Sequence, residues 1–323
     1  MQNKTYGPTD IKSNALELIG NTPLVALDRI YNGPGRILAK CEFLNPTGSI
    51  KDRSAYSMIK YAIQEGKLKP GAQIVEVTSG NQGSGIALAG AVLNHPVTLL
   101  MSVGNSPQRA EVMRGLGAEC ILVPQVEGVP GKVTLLDVEA AMAEGEKILA
   151  SNPDAYHVDQ FNNPNNCRAH FDSTGPEIMR QTGGRIDGFV ATLGTSGAFT
   201  GIARYLKEQN PNIYCVVVEP EGVEVIAKKP ISKALHVLQG SGYGKIPELF
   251  DYSLMDEAVS VSDDEVKKMK KELGEKEGLY VGYTSAANVI ASIRLAESGK
   301  FGDDPWIVTL LNDTGLKYSD SHK

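Results

Sequence analysis

The sequence predicts an α/β protein built on parallel, doubly wound sheets. Short β-branched runs alternate with helical patterns along its length, the pattern of crossover-connected parallel strands. Several of those runs end in turns of glycine, serine and threonine, and such turns are where these sheets bind ligands. At 323 residues the chain exceeds one ordinary core, so two domains are expected, one large α/β unit being the other arrangement of that length.

Residues 74–77, 97–101, 120–123, 188–193, 214–219 and 306–311 are short, apolar and bounded by turn residues, so each reads as a buried strand. After Lys51, apolar side chains at Ala55, Met58, Ile59, Ala62 and Ile63 form one helical stripe, stopped by Gly66 and Pro70. Ser262 with Glu265 forms a capping box ahead of Val266, Met269 and Leu273. Residues 125–134, with Gly128, Pro130 and Gly131, read as a surface loop. Residues 151–167, rich in Asn and Pro, are the best place for a crossing between domains.

Composition excludes several classes. Hydrophobic residues at 41% and charged residues at 22% are ordinary for a globular protein and rule out disorder, collagen and a coiled coil. A net charge of -6 gives no pull toward nucleic acid or an anionic membrane. The cysteines at 41, 120, 167 and 215 stand alone, with no histidine at ligand spacing, so neither a metal site nor a disulfide framework is expected. Reduced thiols, a first segment without an apolar signal region, and an apolar run at 86–101 broken by Asn94, His95 and Pro96 lead to an expectation of a cytoplasmic protein.

Three strand ends carry unusual residues. The first runs from Val77 through Thr78, Ser79, Gly80, Asn81, Gln82, Gly83, Ser84 and Gly85 into an apolar helix. Small residues there let backbone N–H groups converge at a helix N-terminus, which suits an anion. The second runs from Leu193 through Gly194, Thr195, Ser196, Gly197 and Ala198 to Gly201. It lacks both the Walker A ending and the dinucleotide spacing, so it would hold a phosphate by neutral donors alone. The third is Asn312, Asp313, Thr314 and Gly315. The stretch Gly240-Ser241-Gly242-Tyr243-Gly244 looks similar but follows no clean strand and reads as a flexible loop. Alone, each such turn is often only a turn.

Lys51 follows Asn45-Pro46-Thr47-Gly48-Ser49-Ile50 and opens a helix. Helix N-terminal charge and desolvation both disfavour an ammonium there, which suits a nucleophile or base, although most lysines are simply solvated. A depressed lysine, a neutral phosphate cradle and a second anion turn together are what pyridoxal phosphate chemistry requires.

In those motifs the chain resembles the cysteine synthase (O-acetylserine sulfhydrylase) family, the β-family of pyridoxal phosphate enzymes, which also contains cystathionine β-synthase. The likeness runs from about residue 15 to 319. It begins at Ile19-Gly20-Asn21-Thr22-Pro23-Leu24-Val25, continues through the lysine motif 45–53 and Thr78-Ser79-Gly80-Asn81, then Gln160-Phe161, Thr174-Gly175-Pro176-Glu177-Ile178 and the Gly-Thr-Ser-Gly turn. The resemblance implies a tryptophan synthase β-like fold with the cofactor in a cleft between two domains. Residues 45–158 would be the smaller, mobile, substrate-closing domain, and 1–44 with 159–323 the larger phosphate-binding one. It implies that Lys51 holds pyridoxal 5'-phosphate as an imine and shuttles the Cα proton. Asn81 would meet the cofactor's phenolic oxygen, and Gly194, Thr195, Ser196, Gly197 and Ala198 its phosphate. Thr314 is placed facing the pyridine nitrogen, in preference to adjacent Asp313. Thr78, Ser79, Gln82 and Gln160 would bind the substrate.

The implied activity is β-replacement on an activated serine or cysteine through an aminoacrylate. β-Elimination, as in a cysteine desulfhydrase or serine dehydratase, is the rival, as is replacement with a non-sulfide nucleophile. A silent cofactor-binding protein is a third reading, against which the intact Lys51 argues. A small-molecule amino-acid substrate and a homodimer are expected, and no haem or effector domain after Ser319. Four departures cluster at the substrate: Gln82 followed by two apparent extra residues in Gly83-Ser84-Gly85; Ser196 and Ala198 in the phosphate turn; Ser-Val-Gly-Asn after Met101; and Tyr243 with Lys245 at the mouth.

Overall fold

The structure, a computed structural model, describes residues 11–130, 132–233 and 235–318. The expected end of the resemblance at Ser319 lies outside them. In chain order the elements are β1 (Leu24–Ala26), β2 (Arg36–Lys40), α1 (Lys51–Gln64), β3 (Ile74–Val77), α2 (Asn81–Leu93), β4 (Val97–Ser102), α3 (Pro107–Gly115), β5 (Glu119–Val123), α4 (Leu135–Ser151) and β6 (Tyr156–His157). They continue with α5 (Asn165–Ala169), α6 (Gly175–Thr182), β7 (Gly188–Thr192), α7 (Gly197–Gln209), β8 (Tyr214–Pro220), β9 (Glu257–Val261), α8 (Asp263–Glu277), α9 (Tyr283–Ala296) and β10 (Trp306–Leu310). All six expected strands are present. The capping box at Ser262 and Glu265 starts α8 as expected.

Two sheets form. Strands β5-β4-β3-β6 make a wholly parallel sheet, with Ile74 opposite Val97 and Thr98 opposite Glu119. Strands β1-β2-β10-β7-β8-β9 make a second, parallel except for the β1–β2 pair. The fold expected from strand–helix alternation is therefore the one observed. The smaller sheet packs its helices α1 and α2 over Met58, Ile59, Ile74, Ile86 and Leu99. The larger is covered on one face by α8 and α9 and on the other by α6 and α7. The chain leaves the smaller sheet at β6, inside the Asn- and Pro-rich stretch, and enters the larger unit's helices at α5.

One departure is local. Gly83, Ser84 and Gly85 do not lengthen a loop; they lie in the first turns of α2 and are buried. A Cβ on Gly85 would stand 2.8 Å from the Ala55 Cβ and 3.0 Å from the Lys51 carbonyl oxygen. The glycines let α2 press against the first turn of α1, at Lys51, Asp52 and Ala55. The spacing mimics a glycine-rich loop because both need residues without side chains.

A buried ion cluster joins the units. Arg53 donates to Glu42 at 2.7 and 2.8 Å and to Glu177 at 2.7 and 2.8 Å. Lys40 reaches Glu177 at 2.7 Å, and the Thr22 hydroxyl donates to Glu42 at 2.6 Å. Burial works to raise the Glu177 carboxyl, but hydrogen bonds and charge from Arg53 and Lys40 bring it down to about 2.

Removing one member strands its partners, so Glu177→Gln is expected to cost about 3–5 kcal/mol of unfolding free energy in a denaturant titration. Because the Glu177 pKa is depressed, its contribution is present above pH 4.5 and lost as pH falls toward about 2. A loss under about 1 kcal/mol would show that the cluster does not hold the units together.

Candidate active site

The carboxyl ends of β3, β4, β7 and β10 open on one cavity, and Lys51, at the start of α1, projects into it. Burial drives the Lys51 amine down to about 8, with the charge of Asp313 acting the other way. Among the described residues that line the cavity, Lys51 is the only lysine or arginine. Thr78, Ser79, Asn81, Gln82 and Gln160 line it too, as do Gly194, Thr195, Ser196, Gly197 and Ala198.

The turn after β3 has its hydrogen bonds arranged. The Thr78 hydroxyl oxygen accepts from the Gly80 and Gly83 N–H groups, each at 3.0 Å, so its proton is left for something else. The Ser79 carbonyl accepts from Arg109 at 2.6 Å. Ser54 donates to Gln82 Oε1 at 2.9 Å, and the Gln82 Nε2 is buried without a partner. Gln160 donates to the Val77 carbonyl at 2.9 Å. Asn81 is gripped at both ends of its amide: Nδ2 donates to Asp313 at 2.7 Å and Oδ1 accepts from Lys317 at 2.9 Å. Burial lowers Lys317 to about 8, against opposing charge from Asp313 and Asp52.

The turn after β7 leads into α7 with Ser196 at φ +69°. Its backbone N–H groups gather at the N-terminus of a 13-residue helix. A Cβ on Gly197 would meet Asn166 Oδ1 at 2.0 Å, so only glycine fits there.

Thr314 is not where it was expected. Its hydroxyl accepts from the Leu316 N–H at 3.3 Å, capping the turn Gly315–Lys317, and it does not line the cavity. The β10 turn presents Asn312 and Asp313 instead. Thr284, in the first turn of α9, is a hydroxyl that does line the cavity. Its signal was present in Gly282-Tyr283-Thr284-Ser285-Ala286, small residues at a helix start, but no strand precedes it to draw attention. Gln239, Gly240, Ser241 and Tyr243 also line the cavity, so the stretch read as a flexible loop is part of the wall. Lys245 does not line this cavity; it pairs with exposed Glu248 at 3.9 Å and lines an adjoining pocket that shares Val138, Phe161, Gly194 and Tyr243 with it. Ser102 and Asn105, from the unusual stretch after Met101, reach the cavity.

The wall carries buried polar atoms without partners: Gln82 Nε2, Asn105 Oδ1 and Asp313 Oδ1. An amine, a neutral anion cradle and unmatched donors and acceptors around one space fit a phosphorylated, polar-edged cofactor that forms an imine. The described residues hold no group of three His, Cys, Asp or Glu side chains that could bind a metal.

The family described as pyridoxal-phosphate dependent enzyme matches residues 15–313. The chain belongs to that family. Its cofactor is pyridoxal phosphate, as expected from the motifs. Cysteine synthase 3 of Caenorhabditis elegans is 39% identical over 304 residues, covering 94% of this chain and 87% of that protein. Cysteine synthase A of Escherichia coli K12 is 38% identical over 307 residues, covering 93% and 91%. Among solved structures, a hydrogen sulfide-producing enzyme from Fusobacterium nucleatum superposes with a TM-score of 0.88 at 34% identity, covering 95% of this chain and 100% of that one. The resemblance read from ordered motifs thus stands, and with it an enzyme of this family and fold.

A Lys51 amine near 8 makes capture of the cofactor pH-dependent in a narrow window. The rate at which apoprotein takes up pyridoxal phosphate, followed by absorbance, is expected to rise about tenfold from pH 7 to pH 9 and then level off. A rise that continues to pH 11 would mark Lys51 as an ordinary solvated amine.

Proposed function

We propose that the chain catalyses β-replacement on an activated serine or a cysteine, as a cysteine synthase does. The observation that carries this reading is the convergence on one cavity of Lys51, the donor-rich turn 78–82 and the neutral turn 194–198. Pyridoxal phosphate, when bound, supplies the electron sink that stabilises negative charge at Cα. The chain's own residues do the rest. Lys51, with an amine near 8, is poised both to take the Cα proton and to return it. The Thr78 proton, the Gln82 Nε2, Ser79 and Gln160 are assigned to the substrate carboxylate. Asn81, held by Asp313 and Lys317, is assigned to the cofactor's phenolic oxygen. The turn Gly194, Thr195, Ser196, Gly197 and Ala198 is assigned to its phosphate, and Thr284, in place of Thr314, to the pyridine nitrogen. A neutral hydroxyl there leaves the ring a weaker sink than a carboxylate would, which suits loss of a β-substituent.

Residues 45–158 are proposed to close on the larger unit around the substrate, bringing Ser102 and Asn105 to it. A homodimer in the cytoplasm completes the proposal; among the described residues no helix is long and apolar enough to cross a membrane.

A second reading, β-elimination, is favoured by the likeness to a hydrogen sulfide-producing enzyme. The neutral polar wall of Ser102, Asn105 and Gln239 equally suits a nucleophile other than sulfide.

Lys51→Ala is expected to fold with an unchanged melting temperature, to lose the yellow colour that borohydride bleaches, and to turn over nothing. Appreciable turnover in that variant would end the assignment. With the wild type, pyruvate released from O-acetylserine or cysteine without any added nucleophile selects elimination. Product formed only when sulfide, a thiol or an amine is present selects replacement and names the nucleophile.

A further inference from the structure

Two hydroxyls stand side by side on the turn before α7, with opposite hydrogen-bond directions. Asn166, in α5, is fully buried. Its amide nitrogen lies 2.8 Å from the Gln160 carbonyl oxygen and 2.9 Å from Thr195 Oγ1. A carbonyl only accepts, so the group facing it must be the NH2; the reversed amide would set two acceptors 2.8 Å apart. The second hydrogen of that NH2 therefore goes to Thr195, whose oxygen accepts it. The Thr195 proton has to leave in another direction, and Thr195 lines the cavity.

Ser196 is the reverse case. Thr200 Oγ1 lies 2.9 Å from the Leu249 carbonyl and 2.9 Å from Ser196 Oγ. Thr200 has one hydroxyl hydrogen, and the carbonyl must receive it. Ser196 then donates its proton to Thr200 and has none for the cavity.

From this geometry we propose that Asn166 is a positioning residue that turns the Thr195 hydroxyl into the side-chain donor for the cofactor's phosphate, while Ser196 contributes only its backbone N–H. The inference rests on the reading that the turn 194–198 holds that phosphate. Because the turn carries no cation, one oriented proton matters more there than it would beside an arginine. The same NH2 holds the Gln160 backbone, so one buried amide aligns a phosphate donor and a residue assigned to the substrate carboxylate.

The test compares the affinity of apoprotein, with Lys51 intact, for pyridoxal phosphate and for pyridoxal, which lacks the phosphate. Absorbance titration gives both dissociation constants. Thr195→Val is expected to weaken pyridoxal phosphate about tenfold and pyridoxal less than about twofold. Asn166→Ala is expected to show the same selective loss, at about fivefold, and to add no selective loss in the Thr195→Val background. Ser196→Ala is expected to cost several-fold less than Thr195→Val. Equal losses for the two ligands in Asn166→Ala, or additive selective losses in the double variant, would overturn the proposal. Should Asn166→Ala fail to fold, equal selective losses in Thr195→Val and Ser196→Ala would overturn it on their own. A wild type that binds pyridoxal as tightly as its phosphate would instead overturn the phosphate assignment of the turn.

Discussion

Arg53 is the constraint on which the site depends. Moving two carboxylates and two cations out of water costs several kcal/mol per ion, and only near-complete pairing offsets it. Here the pairing is close to complete: Arg53 bridges Glu42 and Glu177, Lys40 shares Glu177, and Thr22 completes Glu42. Lys40 ends β2, Glu42 follows it, Glu177 lies in α6 and Thr22 precedes β1, whereas Arg53 lies in α1, which packs on the smaller sheet. The ion cluster therefore tells α1 where to begin.

That placement sets the three residues that open α1. Successive residues on a helix point about 100° apart. Lys51 faces the cavity. Asp52 turns back to accept from the Thr47 N–H at 2.7 Å and from the Thr47 hydroxyl, fixing the turn that leads into the helix. Arg53 faces the buried carboxylates. The amine is thus held by its neighbours' contacts and not by its own, which leaves it free to react. Its depressed pKa has the same origin: burial without a dedicated counter-charge. Asp313, the carboxylate whose charge acts on the amine, is already engaged by Asn81 and by the Tyr318 hydroxyl at 2.8 Å. Arg109 lies behind the β3 turn, 4.8 Å over the Tyr318 ring, and steadies the backbone from outside the cavity.

Strands β3, β4, β7, β8 and β10 were legible because they are buried on both faces and read as continuous apolar runs, and β5, though a half-exposed edge strand, kept the apolar run Cys120–Val123. Strands β2 and β9 were not. Arg36 and Lys40 bound β2, and Lys40 looks like a surface residue until its buried carboxylate partner is known. Strand β9 is an edge strand with most of its residues half-buried. Strands β1 and β6, at three and two residues, carry too little pattern to see. The same limit explains the Thr314 error. A hydroxyl beside a glycine fits equally as a cofactor contact or a helix cap, and one-dimensional spacing does not say which way the turn faces.

The residue order alone settled the class of sheet through its apolar runs, and its ordered motifs carried the resemblance from which the family and its cofactor followed, with Lys51 standing out among them. Only the tertiary structure decided which hydroxyl reaches the cavity, that Gly83 to Gly85 are a helix contact and not a longer loop, and which protons on the 194–198 turn are available. Those facts depend on partners far away in sequence, such as Asp313 for Asn81 and Leu249 for Thr200, and a hydrogen bond has no direction until both of its ends are in place.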